Sequence, residues 1–276
     1  MKTLLVPIDF TQTSNNAVDF AVDWSKKFEY KRIILLKTFY DTLFDDVVMS
    51  SEYGVGMDFR LKEREEAELM LKQLSYDVSV KNTNIEVLAV TSELPLMRAI
   101  HEVVREENPE TIIVGSDTNH YDNDSYVADH VIQIAKSCPV KTLIVPSTYK
   151  YKPVKEILIP VDSFVIPFID KIKLLNTRGY LTDVDFKVLS IANIQIKINE
   201  QESERQLHGY LENIPHHVFF SQNKSAVDAI MEFLKTHHVQ LIIALPGKYS
   251  FLYRLTHKTI SEAICRNHKK PVLILK

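Results

Sequence analysis

Glycine is scarce in this chain: six among 276 residues, at Gly54, Gly56, Gly115, Gly179, Gly209 and Gly247. A backbone that wraps closely round a phosphate needs residues without a side chain. No Walker loop and no G-x-G-x-x-G fingerprint can be written with glycines so placed, and the G-x-S-x-G elbow and zinc-ligand spacings are missing as well. Cysteine is nearly absent too. Cys138 and Cys265 stand alone, which excludes a disulfide framework and suits a reducing compartment. No apolar run approaches the roughly 18 residues that a membrane helix needs. The opening "MKTLLVPIDF" lacks the apolar core and small-residue cleavage site of a secretory signal. These absences predict a cytoplasmic protein with no membrane partner.

Strong charge of one sign is lacking as well, the net charge being −3. Residues 151–276 nevertheless hold 17 Lys and Arg against 12 Asp and Glu, while the first 150 hold the remaining 16 bases against 24 acids. Neither half is basic enough to make nucleic acid a partner. Opposite signs favour docking of the two halves on each other, within the limit that salt screening sets.

What is present is a repetition. "KTLLVPID" (Lys2–Asp9) returns as "KEILIPVD" (Lys155–Asp162), 153 positions later. "MRAIHEVV" from Met97 returns as "VDAIMEFL" from Val227, and "TIIVGS" from Thr111 as "LIIALP" from Leu241, both at an offset of 130. "CPVKTLIV" from Cys138 returns as "KPVLILK" from Lys270 through Pro139 and Pro271. The chain therefore reads as a tandem duplication, with copies at 1–147 and 154–276. The second copy has lost 153 − 130 = 23 residues from its second strand and second helix region.

Within a copy, short apolar runs alternate with amphipathic segments. After Asp9, Ala17, Phe20, Ala21, Trp24 and Phe28 recur at helical spacing, with Thr13 and Ser14 as capping candidates. "RIILLKTF" reads as a buried strand. "FRLKEREEAELMLKQLSYDV" reads as a long helix with Leu61, Leu69, Leu71 and Leu74 available for packing, and "SYVADHVIQIAKS" as one helix before the last strand. Strands alternating with helices imply an α/β fold, each copy a five-stranded parallel sheet covered on both faces. Residues 146–154, "PSTYKYKPV", read as a linker. The segment "DTLFDDVVMSSEYGVGMDF", from Asp41, has no counterpart in the second copy and reads as a partner-binding element.

A first strand ending in Pro7-Ile8-Asp9 or Pro160-Val161-Asp162, a fourth strand "TIIVGS" and the closing "CPVKTLIV" together resemble the universal stress protein family. The resemblance covers nearly the whole chain as two copies. It implies a doubly wound, adenine-nucleotide α-hydrolase-like fold whose copies pack as a pseudo-dimer through their final strands, with further homodimer formation open. Members of that family that bind ATP carry Gly, two residues, Gly, nine residues, Gly and Ser or Thr after the fourth strand. Here Gly115 and Ser116 match its first position, but the glycine-free "DTNHYDNDSYV" follows. In the second copy "PGKYSFLYRLTHKT" keeps Gly247, and Lys258 stands about where the last glycine would be.

The two loops differ in charge. Asp117, Asp122 and Asp124 in the first would repel phosphate, and are read either as a solvated loop or as oxygen donors for a hard cation. The second carries Lys248, Arg254, His257 and Lys258 before Thr259 and Ser261 at a helix start, either an anion site or a basic docking surface. Asp9 and Asp162 match the acid that contacts the adenosine end of the ligand in nucleotide-binding relatives; the competing role is to cap the helix that follows, to which Thr11 or Ser163 also lend themselves. His216-His217 and His237-His238 are adjacent pairs whose members point to opposite faces, so each reads as one packed and one surface histidine. Two readings follow. One is a non-enzymatic stress-response protein acting through an unidentified protein partner or weak ligand sensing. The other is an AMP- or ATP-binding protein, with slow hydrolysis at most, built on Asp162 and the basic loop.

Overall fold

The computed structural model describes residues 1–39, 57–117, 126–161, 169–177, 183–191, 200–223, 226–245 and 270–276. They form two compact units, Met1–Val140 and Lys141–Lys276. Most of the segment from Asp41, residues 41–56, lies outside the described residues. No helix among the described residues is long and apolar enough to cross a membrane.

The first unit holds β1 (Thr3–Ile8), α1 (Gln12–Lys27), β2 (Arg32–Thr38), α2 (Met57–Lys81), β3 (Glu86–Ser92), α3 (Leu96–Glu107), β4 (Thr111–Ser116), α4 (Tyr126–Asp129) and α5 (Val131–Ser137). Its four strands run parallel in the order β3-β2-β1-β4. Every residue of β1 and β4 is buried, as continuous aliphatic runs covered on both faces must be. The edge strand β3 is half exposed along its length. Strand order reverses between β1 and β4, and there ligands settle in open parallel sheets.

Ala17, Phe20, Ala21, Trp24 and Phe28 are all buried, as their spacing predicts. The cap differs. Thr11 is the N-cap of α1 and accepts from the Ser14 N–H, while Thr13 and Ser14 lie buried in the first turn. In α2, Leu71 and Val78 face inward at a spacing of two turns, whereas Leu69 is 68% exposed and leaves the core. The segment before the strand that starts at Lys141 is two short helices, α4 and α5, parted at His130.

The second unit opens with β5 (Lys141–Pro146), followed by β6 (Glu156–Val161), α6 (Asp170–Thr177), β7 (Asp185–Ile191), α7 (Glu200–Tyr210), β8 (His216–Ser221), α8 (Ala226–Thr236), β9 (Leu241–Ala244) and β10 (Val272–Ile274). Their order is β5-β10-β9-β6-β7-β8. All neighbours are parallel except β10 and β5, which are antiparallel with Val272 opposite Ile144 and Ile274 opposite Thr142. The segment between β5 and β6 is no loose tether. Tyr149 and Val154 are buried, and the Gln240 side-chain oxygen accepts the N–H groups of Lys155 and Glu156 at 2.9 and 2.8 Å.

The repeated proline holds a corresponding place in the two units. Register between β1 and β4 covers Leu4↔Thr111 and Leu5↔Ile112, and between β6 and β9 it covers Ile157↔Leu241 and Leu158↔Ile242. Pro7 and Pro160 stand beyond both of these pairings, while on the other side of their strands they lie in register with Leu36 and Leu189.

Candidate functional site

The switch point of the first unit is built at the carboxyl ends of β1 and β4. Pro7 and Ile8 are buried in β1 and contribute to the core, leaving Asp9 as the first polar side chain past the strand. One Asp9 oxygen, Oδ1, accepts the Thr11 hydroxyl at 2.6 Å and the Thr11 N–H at 3.2 Å. The other, Oδ2, accepts the N–H of Val127 at 3.0 Å, from 118 residues further along the chain. Thr11 in turn caps α1, and the Ser14 hydroxyl accepts the Asp9 N–H at 3.3 Å. Phe10, between them, has φ 63°, the left-handed conformation that lets the chain turn from strand into helix within three residues. Asp9 therefore ties the first strand to α1 and to the start of α4. Hydrogen bonds to a carboxylate are among the stronger ones a side chain makes.

Gly115 lies under the same turn. A Cβ added there would stand 2.5 Å from the carbonyl oxygen of Thr13 and 2.7 Å from its methyl group. The glycine admits the first turn of α1 against β4. Beside it the Ser116 hydroxyl is buried and makes no hydrogen bond among the described residues. Asp117 follows at the strand end, whereas Asp122 and Asp124 lie outside the described residues.

At the corresponding place in the second unit, description stops at Val161 on β6 and Leu245 after β9. Asp162, Gly247, Lys248, Arg254, His257, Lys258 and Thr259 all lie outside the described residues. The structure thus brings together Asp9, Thr11, Ser14, Gly115 and Ser116 of the residues singled out from the sequence, and adds Val127. Nothing in the sequence marks Val127, because a backbone N–H contributed from so far along the chain leaves no residue-type signal. Thr11 is legible in the sequence, since Asp-x-Thr at a helix start is capping chemistry.

The adjacent histidine pairs separate as strand and helix geometry requires. His216 is half-buried and His217 exposed; His237 stacks on Phe233 with centroids 3.8 Å apart, and His238 is exposed. Among the described residues no three His, Cys, Asp or Glu side chains are grouped to hold a metal ion.

Comparison with known proteins agrees with this architecture. A universal stress protein from Archaeoglobus fulgidus DSM 4304 is similar over 99% of this chain and 98% of its own, with a TM-score of 0.70 and 15% identity. A functionally unknown protein from Pseudomonas aeruginosa PAO1 is similar over 100% of this chain and 92% of its own, with a TM-score of 0.53 and 14% identity. Identities so low speak for the fold alone. No curated protein sequence matches the chain. The model of the universal stress protein family does match, over residues 1–146. That stretch runs from β1 through β5 and exceeds half of the sequence, so the chain belongs to the universal stress protein family.

Proposed function

We propose that this stress-response protein works without catalysis, through a protein partner or weak ligand sensing, and that its first copy is a structural module. The observation that carries this reading is the use made of the first switch point. Both oxygens of Asp9 accept hydrogen bonds from the chain itself, and Gly115 packs closely against Thr13. An acid so engaged holds three elements together and is a poor anchor for adenosine. The same reading puts the protein in the cytoplasm as an intramolecular pseudo-dimer. It draws support from the antiparallel pairing of β10 with β5, the strand that ends the first copy in sequence.

Mass spectrometry of small molecules released from the purified full chain tests it. No stoichiometric nucleotide is expected, and Asp9→Ala should lower the denaturation midpoint by the equivalent of about 2 kcal/mol, the worth of a cap and a charged hydrogen bond. Co-purifying AMP or ATP would overturn the reading.

The second reading, an adenine-nucleotide binder, is favoured by one feature, the basic run Lys248, Arg254, His257 and Lys258 leading to Thr259. On it, Asp162 would face the adenosine end and Gly247 would admit the phosphates. If nucleotide is found, its loss in Lys248→Ala with Lys258→Ala would assign it to the second copy.

A further inference from the structure

The end of α7 and the start of β8 bring two imidazoles face to face. His208 lies in the last turn of α7, and His216 is the first residue of β8. Between them the chain reverses through Asn213, at φ 67°, while Leu207, Leu211 and Ile214 are buried and fix the turn from beneath. As a result His208 Nδ1 stands 2.6 Å from His216 Nε2, with the rings tilted at 48°.

The outer nitrogen of His216 is hydrogen-bonded, and that of His208 faces a carboxylate. His216 Nδ1 is 2.7 Å from the carbonyl oxygen of Ile214, which can only accept, so that nitrogen carries a proton and Nε2 presents its lone pair. His208 Nε2 faces the Glu204 carboxylate at 3.7 Å, one helical turn back. A ring nitrogen turned inward, with the other N–H held by a carbonyl or a carboxylate, is how metal-ligating histidines are oriented. His216 is oriented in this way, and His208 faces it with Glu204 nearby.

We propose that His208 Nδ1 and His216 Nε2 bind one divalent transition ion of the zinc, nickel or copper class, the ions that imidazole nitrogen suits. Glu204 and the Ile214 carbonyl orient the two rings. Water completes the coordination, since among the described residues no third protein ligand is grouped with the pair. The metal takes the place of the proton between the rings. His208 then presents its Nδ1 lone pair and carries its proton on Nε2, toward Glu204. Ring nitrogens sharing a tetrahedral zinc stand roughly 3.3 Å apart, so the rings must part by several tenths of an ångström. His208, whose side chain is 51% exposed on a helix end, has room to swing outward. His217 is no ligand of this site: it points to the other face of β8, toward Asp185 at 3.7 Å.

Calorimetric titration of the full chain with Zn²⁺ should give a saturable site that His208→Ala weakens at least tenfold and His217→Ala leaves unchanged. Glu204→Gln should weaken it by about tenfold, the lower end for a residue that orients a ligand. Because His208 is exposed, its replacement leaves the core untouched. A measurement on the unaltered chain stands beside it: on modification by diethylpyrocarbonate followed by peptide mapping, Zn²⁺ should protect His208 and His216 and leave His217 and His238 reactive. Equal affinity in wild type and His208→Ala, or a protection map indifferent to Zn²⁺ at His208 and His216, overturns the proposal.

Discussion

Gly115 is a residue whose meaning depends on what lies against it. A Cβ on Gly115 would stand 2.5 Å from the Thr13 carbonyl oxygen. Gly115→Ala should therefore destabilise the protein by about 1–3 kcal/mol, the usual result of overpacking a well-filled site. Chemical denaturation checks this, and the loss should appear whether or not any nucleotide is present. A neutral substitution would mean that the turn above β4 has room to spare. The Asp-x-Thr cap was legible in the sequence, but the partner of Asp9 Oδ2 was not, because Val127 contributes only a backbone N–H.

Among the elements, the segment joining β5 to β6 behaves as part of a unit. Its anchor is Tyr149, which donates to the Gln240 carbonyl at 3.2 Å and whose hydroxyl burial raises above the ordinary tyrosine value. The sign follows directly. The folded protein keeps this proton to higher pH than the unfolded chain does. The contribution of Tyr149 is therefore full below about pH 10 and is lost as pH rises through the raised value. Lys270, lowered by burial and by Lys152, runs the other way over the same range, so wild type alone does not separate the two. The difference between wild type and Tyr149→Phe does. Thermal melts should show wild type the more stable at neutral pH and its advantage shrinking above about pH 10. A constant difference would mean that the hydroxyl keeps its ordinary acidity. Proline and small polar residues made 146–154 look like a linker; what ties it down is Gln240, 85 residues or so away, which the segment's own composition does not reveal.

For the molecule as a whole, the grouping of β5 with the second unit has a practical consequence. β10 is three residues long and has β9 on one side and β5 on the other. Cutting at the apparent end of the linker would strip β5 away and leave β10 with an unpaired edge, a template for association. A fragment of residues 141–276 should be monodisperse in sedimentation and melt cooperatively. A fragment of residues 154–276 should melt lower and associate. Equal behaviour would show that β5 adds nothing to the stability of that unit.

The sequence by itself determined the repetition, the alternation of strands with helices, the parallel arrangement and the membership of α1's buried face, because burial on both faces of a sheet and on one face of a helix imposes residue types at fixed local periods. It also showed that glycines are missing where a phosphate loop would need them. Only the tertiary structure decided that both oxygens of Asp9 serve the chain itself, that Gly115 makes room for Thr13, that Leu69 faces away from the core, and that His208 meets His216. Each of these depends on two segments arriving at one place, and such an approach is fixed by packing across the fold, which no local period records.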